Sequence, residues 1–300
     1  MRITQRMMSQ NSLAGVNRNL TSISKLQDQL TSGKALTRPS DSPTGTNSSM
    51  QLRSALAANS QYARNMTDGT TWLSTADTTL QSMVTQTQTV RDLTTRAMNG
   101  TMSDDDRQAI ALQIDQLRQS LLGSANTQLE GLPLFGGATS GTTAYDTDGT
   151  YVGRGGTATD PVVPNNRRIS DAGTVRVDVT GAEAFGDQTQ GDDLFAVIAK
   201  ISDAATNDPS ALGTQLAALD TALGRMTSAL AGVGARMNRL EAAQSVNTDQ
   251  QLTLKAQQSS VEDVDMAQSI SDLTLHQTSY QAALAVASKS LQTSLVDYLS

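Results

Sequence analysis

The 300-residue chain has no cysteine, one histidine and six prolines, and aromatic residues make up only 3% of it. Each scarcity excludes something. Without cysteine there is no disulfide scaffold, no thiolate zinc site and no thiol nucleophile. One histidine leaves almost no material for a catalytic triad or a metal site. His276, between Leu275 and Gln277, reads as an ordinary helix residue. No run of about 18 apolar residues occurs, so no membrane-spanning helix is expected. The opening MRITQRMMSQNSLAG lacks an apolar h-region, so no cleavable secretory signal is expected either. Positive charge is also short. Twenty-two Lys and Arg stand against 29 Asp and Glu, a net charge of −7, which provides no global field for binding nucleic acid. Neither GxxxxGK[ST] nor GxGxxG appears, and Arg167-Arg168 is too short for a nucleic-acid patch. Catalytic, cofactor-binding and metal-binding residues are therefore all expected to be absent.

What the chain has in quantity is Ala, Ser, Thr, Gln and Leu, a composition suited to long helices with narrow apolar seams. The prolines stand at 39, 43, 133, 161, 164 and 209, leaving 44–132 and 210–300 uninterrupted. From Leu212, the positions Leu216, Leu219, Leu223, Met226, Leu230, Val233, Met237 and Leu240 alternate steps of four and three. That is the a/d seam of a coiled coil, and it continues in polar form through Gln244 and Asn247. A second helix is expected over about 45–99, with Leu52, Leu56, Met66, Leu73, Leu80, Met83 and Val90 on its seam. Ser103 before Asp104-Asp105-Asp106 opens another, with a cap and a favourable dipole interaction.

The ends repeat the pattern. Leu13, Val16, Leu20, Ile23 and Leu30 lie on an N-terminal helix ending near Gly33. Ile270, Leu273, Tyr280, Leu284, Leu291, Leu295 and Tyr298 lie on a C-terminal one. Ser260-Val-Glu-Asp263 ahead of it looks like a capping box, with Glu262, Asp263 and Asp265 in the first turn. Residues 1–38 hold six basic residues and one acid, 6 − 1 = +5, whereas 262–300 hold one base and five acids, 1 − 5 = −4. Seams of opposite charge favour pairing between the ends. Exposed ion pairs are worth only about 0–1 kcal/mol each, so charge would set orientation and apolar burial the affinity.

The segment 131–193 differs in kind. It is rich in Gly, Thr and Asp, and Thr174–Val179 alternates like a half-buried strand. Asp148-Gly149 and Asp171-Ala-Gly173 are turn signals, and helix resumes near Asp192-Asp193. The expected architecture is mainly α: a long antiparallel helical bundle or coiled coil from both chain ends with a small inserted β-rich domain. Its expected parts are 1–38 with 262–300 as paired terminal helices, 39–130 with 194–261 as a long bundle, and 131–193 as the insertion.

The terminal motifs carry a family resemblance. MRITQRMM, Leu26-Gln-Asp-Gln-Leu-Thr-Ser-Gly-Lys34, Arg38-Pro39-Ser40-Asp41-Ser42-Pro43, Val261-Glu-Asp-Val-Asp-Met-Ala267 and Ser294-Leu-Val-Asp-Tyr-Leu299 resemble the flagellar hook–filament junction family of the flagellin-like superfamily. Leu134-Phe-Gly136, Val179-Thr-Gly181 and Asp193-Leu-Phe195 agree with it. Two departures are expected to loosen the start of the second helix without changing its class: Ser42 where the family usually has a second aspartate, and Thr44-Gly45-Thr46 where alanines are frequent. The resemblance implies a non-enzymatic structural protein without cofactors, outside the cell in the flagellum and exported by the type III apparatus. It implies terminal helices forming an inner tube, long helices forming the next shell and the insertion facing outward. The implied partners are other copies in a ring, the first junction protein FlgK, flagellin and the export chaperone FlgN. A flagellin filament subunit, a chemoreceptor-like signalling coiled coil and a cytosolic scaffold remain the alternatives.

Overall fold

The computed structural model describes residues 2–157, 159–188, 191 and 193–299; side chains near the termini are described at position 7 and from 10 to 288. In chain order the helices are α1 (Arg2–Ser32), α2 (Pro43–Ala97), α3 (Asp104–Ala125), α4 (Gly181–Phe185), α5 (Leu194–Asn207), α6 (Leu212–Glu262) and α7 (Met266–Leu299). The strands are β1 (Gln128–Leu129), β2 (Leu132–Pro133), β3 (Asn166–Arg168) and β4 (Thr174–Arg176). The chain divides into two compact units: a terminal unit, Met1–Ala58 with Gln250–Ser300, and a central unit, Asn59–Asp249. The first part of α2 and the last part of α6 fall in the terminal unit. Residues 131–193 fall in the central unit with α3 and α5.

In the central unit α2 and α6 run antiparallel. Asn247 Nδ2 donates to Asn59 Oδ1 (3.2 Å), Thr87 Oγ1 lies 3.8 Å from Met226 Sδ, and Arg91 pairs with Asp220 at 2.6 Å. Along their facing sides each helix buries a row of residues seven apart, and α2 buries a second row, Ala76, Met83, Val90 and Ala97, beside it. On α6 the facing row is Leu212, Leu219, Met226, Val233, Leu240 and Asn247; on α2 it is Asn59, Met66, Leu73, Leu80, Thr87 and Thr94. The alternate α6 positions Leu216, Leu223, Leu230 and Met237 are half-buried, flanking the row that meets the partner helix. Thr87 and Thr94 tolerate full burial because their hydroxyls donate to Met83 O and Val90 O, one turn back (2.8 Å each). Asn59 and Asn247 form a buried polar pair at the end of this seam, the device that fixes register in coiled coils at some loss of stability. Asn247→Leu should therefore destabilise the central unit by about 1–3 kcal/mol, because it strips Asn59 of a buried partner. Replacing both by Leu should restore or raise the melting temperature, as read by calorimetry.

The insertion contributes two antiparallel ladders. β1 pairs with β2 in register Gln128–Pro133, and β3 pairs with β4 in register Arg167–Val175, closing over the expected Asp171–Gly173 turn. Tyr145 and Tyr151 form an isolated bridge across Asp148-Gly149. What holds the segment is a cluster of rings. The Tyr145 centroid lies 4.8 Å from Phe195, 5.3 Å from Tyr151 and 6.0 Å from Phe185, and Phe135 meets Phe185 at 5.1 Å. All three phenylalanines of the chain are in this cluster. It belongs to the same hydrophobic core as Ile114, Leu121, Ile198 and Leu240, which is why the insertion stays with its flanking helices. Gly137 is required where the loop crosses itself. Its φ is +64°, and a Cβ there would collide with Arg154 O. Arg176 pairs with both Asp178 (3.0 Å) and Glu183 (2.6 Å), while Thr180 and Glu183 form a capping box at the start of α4.

The terminal unit is built differently. α1 packs along α7, antiparallel, as the bridge Lys34–Asp263 between the end of one and the start of the other requires. Among its described side chains no hydrophobic residue is buried, yet Ser49, Glu262 and Ser269 are.

Candidate functional site

The two terminal motifs meet. α1 ends at Gly33 (φ +69°), a left-handed position suited to glycine at a helix C-terminus. The chain then runs alongside the α6–α7 link: Ala35 N donates to Glu262 O (2.7 Å) and Val264 N to Gly33 O (3.1 Å). Lys34 reaches Asp263 (2.6 Å) and Glu262 (3.5 Å). Glu262 is the centre of the joint. Its carboxylate accepts from Ser49 Oγ, from Arg53 Nε (2.8 Å) and from Gln258 Nε2 (3.0 Å). The Arg53 guanidinium holds its carboxyl well below the usual carboxylate range despite burial, aided by Ser49 and Gln258.

Asp41 organises the other half. One carboxylate oxygen accepts from Arg38 N (2.9 Å), Thr37 Oγ1 (3.0 Å) and Thr37 N (3.3 Å), and the other pairs with Lys25 on α1 at 3.0 Å. Lys25, with the Arg38 N–H and Thr37 behind it, draws the Asp41 carboxyl down to about 2. Pro39 and Ser40 form the exposed turn, and the Arg38 guanidinium has no ion pair among the described residues. Pro43 takes the first position of α2, where its missing N–H costs nothing. Ser42 caps that helix through Gly45 N (3.1 Å), so the departure from a second aspartate keeps a capping side chain.

Two further expectations are corrected. Ser260 does not open a helix: its hydroxyl donates to Gln257 O inside α6, which continues to Glu262. The cap of α7 is Asp265, which accepts from Gln268 N at 3.1 Å. Glu262 thus closes α6 and ties it to α2, while Asp263 neutralises Lys34. Ser49, Arg53, Lys34 and Lys25, the partners of the motif residues, were not singled out as site residues in the sequence reading.

The expected assembly seam is only partly covered. Val16, Ile23, Leu30, Leu273 and Tyr280 are half-buried, whereas Leu13, Leu20, Ile270 and Leu284 are each 45–55% exposed. Leu291, Leu295 and Tyr298 lie outside the described side chains. Among the described residues no group of His, Cys, Asp or Glu is arranged to hold a metal, and no helix is long and apolar enough to cross a membrane.

Because both key carboxylates are depressed, their contribution is complete above the ordinary carboxylate range. It starts to be lost as pH falls below about 4; the Asp41 share goes at about 2, and the Glu262 share, held lower still, goes last. Helical content of the wild type should drop across that window, measured by circular dichroism. Glu262→Gln should be less stable than wild type at pH 7 and lose less on acidification.

Paired helices from the two chain ends, joined through motif loops and with no hydrophobic side chain buried among the described residues, define a flagellin-like helical protein. Two family models agree: the bacterial flagellin N-terminal helical region matches residues 3–140 and the bacterial flagellin C-terminal helical region residues 216–299. Flagellar hook-associated protein 3 of Escherichia coli (strain K12) is 30% identical over 301 residues, covering 94% of this chain and 95% of its own. That of Salmonella typhimurium is 28% identical over 307 residues, covering 94% and 95%. The crystal structure of Bacillus cereus FlgL superposes with a TM-score of 0.58 at 24% identity, over 70% of this chain and 99% of that one. The chain belongs to the flagellar hook-associated protein 3 family, a family of structural flagellar proteins.

Proposed function

We propose that this chain is a structural, non-enzymatic subunit of the hook–filament junction. In this reading copies assemble into a ring that adapts the hook, through the first junction protein FlgK, to the flagellin filament. The terminal helices line the inner tube, and the 131–193 insertion faces outward. Export through the flagellar type III apparatus, with FlgN as chaperone, completes the reading.

One observation carries it. The central unit buries a continuous core from Met66 to Leu240, whereas the terminal unit buries no described hydrophobic side chain and leaves Leu13, Leu20, Ile270 and Leu284 half uncovered. Burying a Leu or Ile fully is worth about 1.5–3 kcal/mol. Helices with such stripes reach that stabilisation only against other chains, which is how a subunit of an assembly behaves. Membership of the hook-associated protein 3 family supports the junction over the filament body. Fractionating sheared flagella from cell lysate tests it: the protein should co-purify with the flagella and sit at the hook–filament boundary under immuno-electron microscopy. Labelling along the whole filament would favour a flagellin, and recovery only in the lysate would overturn both.

A further inference from the structure

We propose that the cationic face of α1 in one copy seats the start of α7 from a neighbouring copy, with Arg18 opposite Asp272 and Lys25 opposite Asp265. The proposal rests on the junction reading and deepens it by naming a subunit contact.

Two adjoining grooves run along α1 and share Thr21 and Lys25. One, of about 430 Å³, is lined by Asn17, Arg18 and Ser22 as well, with no carboxylate. The other, of about 580 Å³, reaches Arg38 and is lined by Asp28 and Asp41 as well. Arg18 makes no ion pair among the described residues. On α7 the mirror situation holds. Asp265 is engaged by Gln268 N (3.1 Å) and Asp272 by Gln268 Nε2 (3.0 Å), but neither meets a cation among the described residues.

The spacings match. Arg18 and Lys25 are seven residues apart, as are Asp265 and Asp272, so each pair spans about 10.5 Å along its helix. Laid antiparallel, the two helices bring both pairs into register together. The chain's own α7 does not offer this. Its level is set by the Lys34–Asp263 bridge, from which Arg18 lies sixteen residues back and Asp272 nine residues on. These distances are about 24 Å and 14 Å along the two axes, an offset of roughly 10 Å that the side chains do not span. A neighbouring copy has no such constraint. Lys25 keeps Asp41 on one side and has ammonium protons left for Asp265 of that copy. The same faces expose apolar side chains, Met7 eleven residues before Arg18 and Leu275 three residues after Asp272. Covering them supplies affinity, while the charges choose the register.

Charge reversal tests this in a strain lacking the chain. Arg18→Glu alone and Asp272→Arg alone should each cut incorporation into sheared flagella by about tenfold or more, through like-charge contacts. The two changes together should restore it to near the wild-type amount, and circular dichroism should show every variant folded. Because the chain has no cysteine, a second test is clean. Ser22→Cys with Gln268→Cys keeps all four charges and places one thiol opposite the other in the same register. Oxidised flagella carrying this variant should yield a ladder of covalent multimers that neither single variant gives. Normal incorporation of Arg18→Glu, a double variant no better than the singles, or flagella that hold the cysteine variant without a ladder would overturn the contact alone. Absence of the wild-type chain from flagella would overturn the junction reading, and the contact with it.

Discussion

Phe195→Ala should lower the stability of the central unit by about 3–5 kcal/mol, among the largest losses any single truncation here can cause. Phe195 stands in the first turn of α5 and is fully buried. Its ring meets Tyr145 at 4.8 Å and Phe185 at 5.9 Å, and its Cβ is close to where Gly149 would carry one. The surroundings are held independently and do not collapse into the space. Asp193 Oδ1 caps α5 through Ala196 N (2.9 Å), Arg118 donates to Phe195 O (3.1 Å) and to Asp148 O, and Asn126 clamps the backbone of Ala144 and Tyr145. The residual cavity therefore keeps its volume, and the penalty includes lost ring contacts as well as lost transfer energy. For a unit of this size such a loss shifts Tm by on the order of 10 °C, which calorimetry resolves. Leu132→Ala, at a side chain 49% exposed, is the control and should stay within about 0.5 kcal/mol. A change of less than about 1 kcal/mol for Phe195→Ala would mean that the ring cluster is not what ties the insertion to the helices.

The helices were legible because burial along a coiled coil is periodic. A reader of the sequence can pick out Leu212, Leu219, Met226, Val233 and Leu240 without knowing what they face. The partner row on α2 was half hidden, since Asn59, Thr87 and Thr94 are polar. Only their mutual bond, or a hydroxyl satisfied by its own helix, makes their burial affordable. The ring cluster was not legible at all. Phe135, Tyr145, Tyr151, Phe185 and Phe195 are scattered over sixty residues of Gly- and Thr-rich text with no period, and their meeting depends on loop geometry such as the crossing at Gly137.

The candidate site was legible as motifs and illegible as contacts. Arg38–Pro43 and Glu262–Asp265 stand out in the sequence, but Glu262 and its partners Ser49 and Arg53 are more than two hundred positions apart. Read locally, acids after a serine look like the start of a helix. The chain instead continues α6 through them, because the buried Glu262 gains the cationic partner Arg53 there and Asp265 is left to cap the next helix. Local capping rules are sound at Ser103 and Asp193, where nothing distant competes. They mislead at Ser260, where a long-range carboxylate network sets the helix end.

Deletion of Leu291–Ser300 should abolish incorporation into flagella while leaving the melting of the central unit within about 0.5 kcal/mol of wild type. The two effects separate because the two units are stabilised differently. The core that determines the central melt runs from Met66 to Leu240 and includes no described residue of α7. α7 packs on α1 in a unit that buries no described hydrophobic side chain, so the expected result of removing its last ten residues is an unchanged central core. The deleted stretch contains Leu291, Leu295, Val296, Tyr298 and Leu299, each worth about 1.5–3 kcal/mol if buried against neighbours. The loss therefore falls on association. Leu291→Asp with Leu295→Asp is the version that keeps the chain length. Two added carboxylates on an already acidic segment are not buried unpaired without a cost of several kcal/mol, and they repel their neighbours. Binding to the export chaperone should weaken in parallel if the same apolar residues are shielded before export. Addition of purified protein to hooks carrying the first junction protein, followed by electron microscopy, reads the assembly arm, and calorimetry of the same preparation reads the folding arm. A damaged central melt with normal incorporation would place the tail in the folded core and the assembly surface elsewhere.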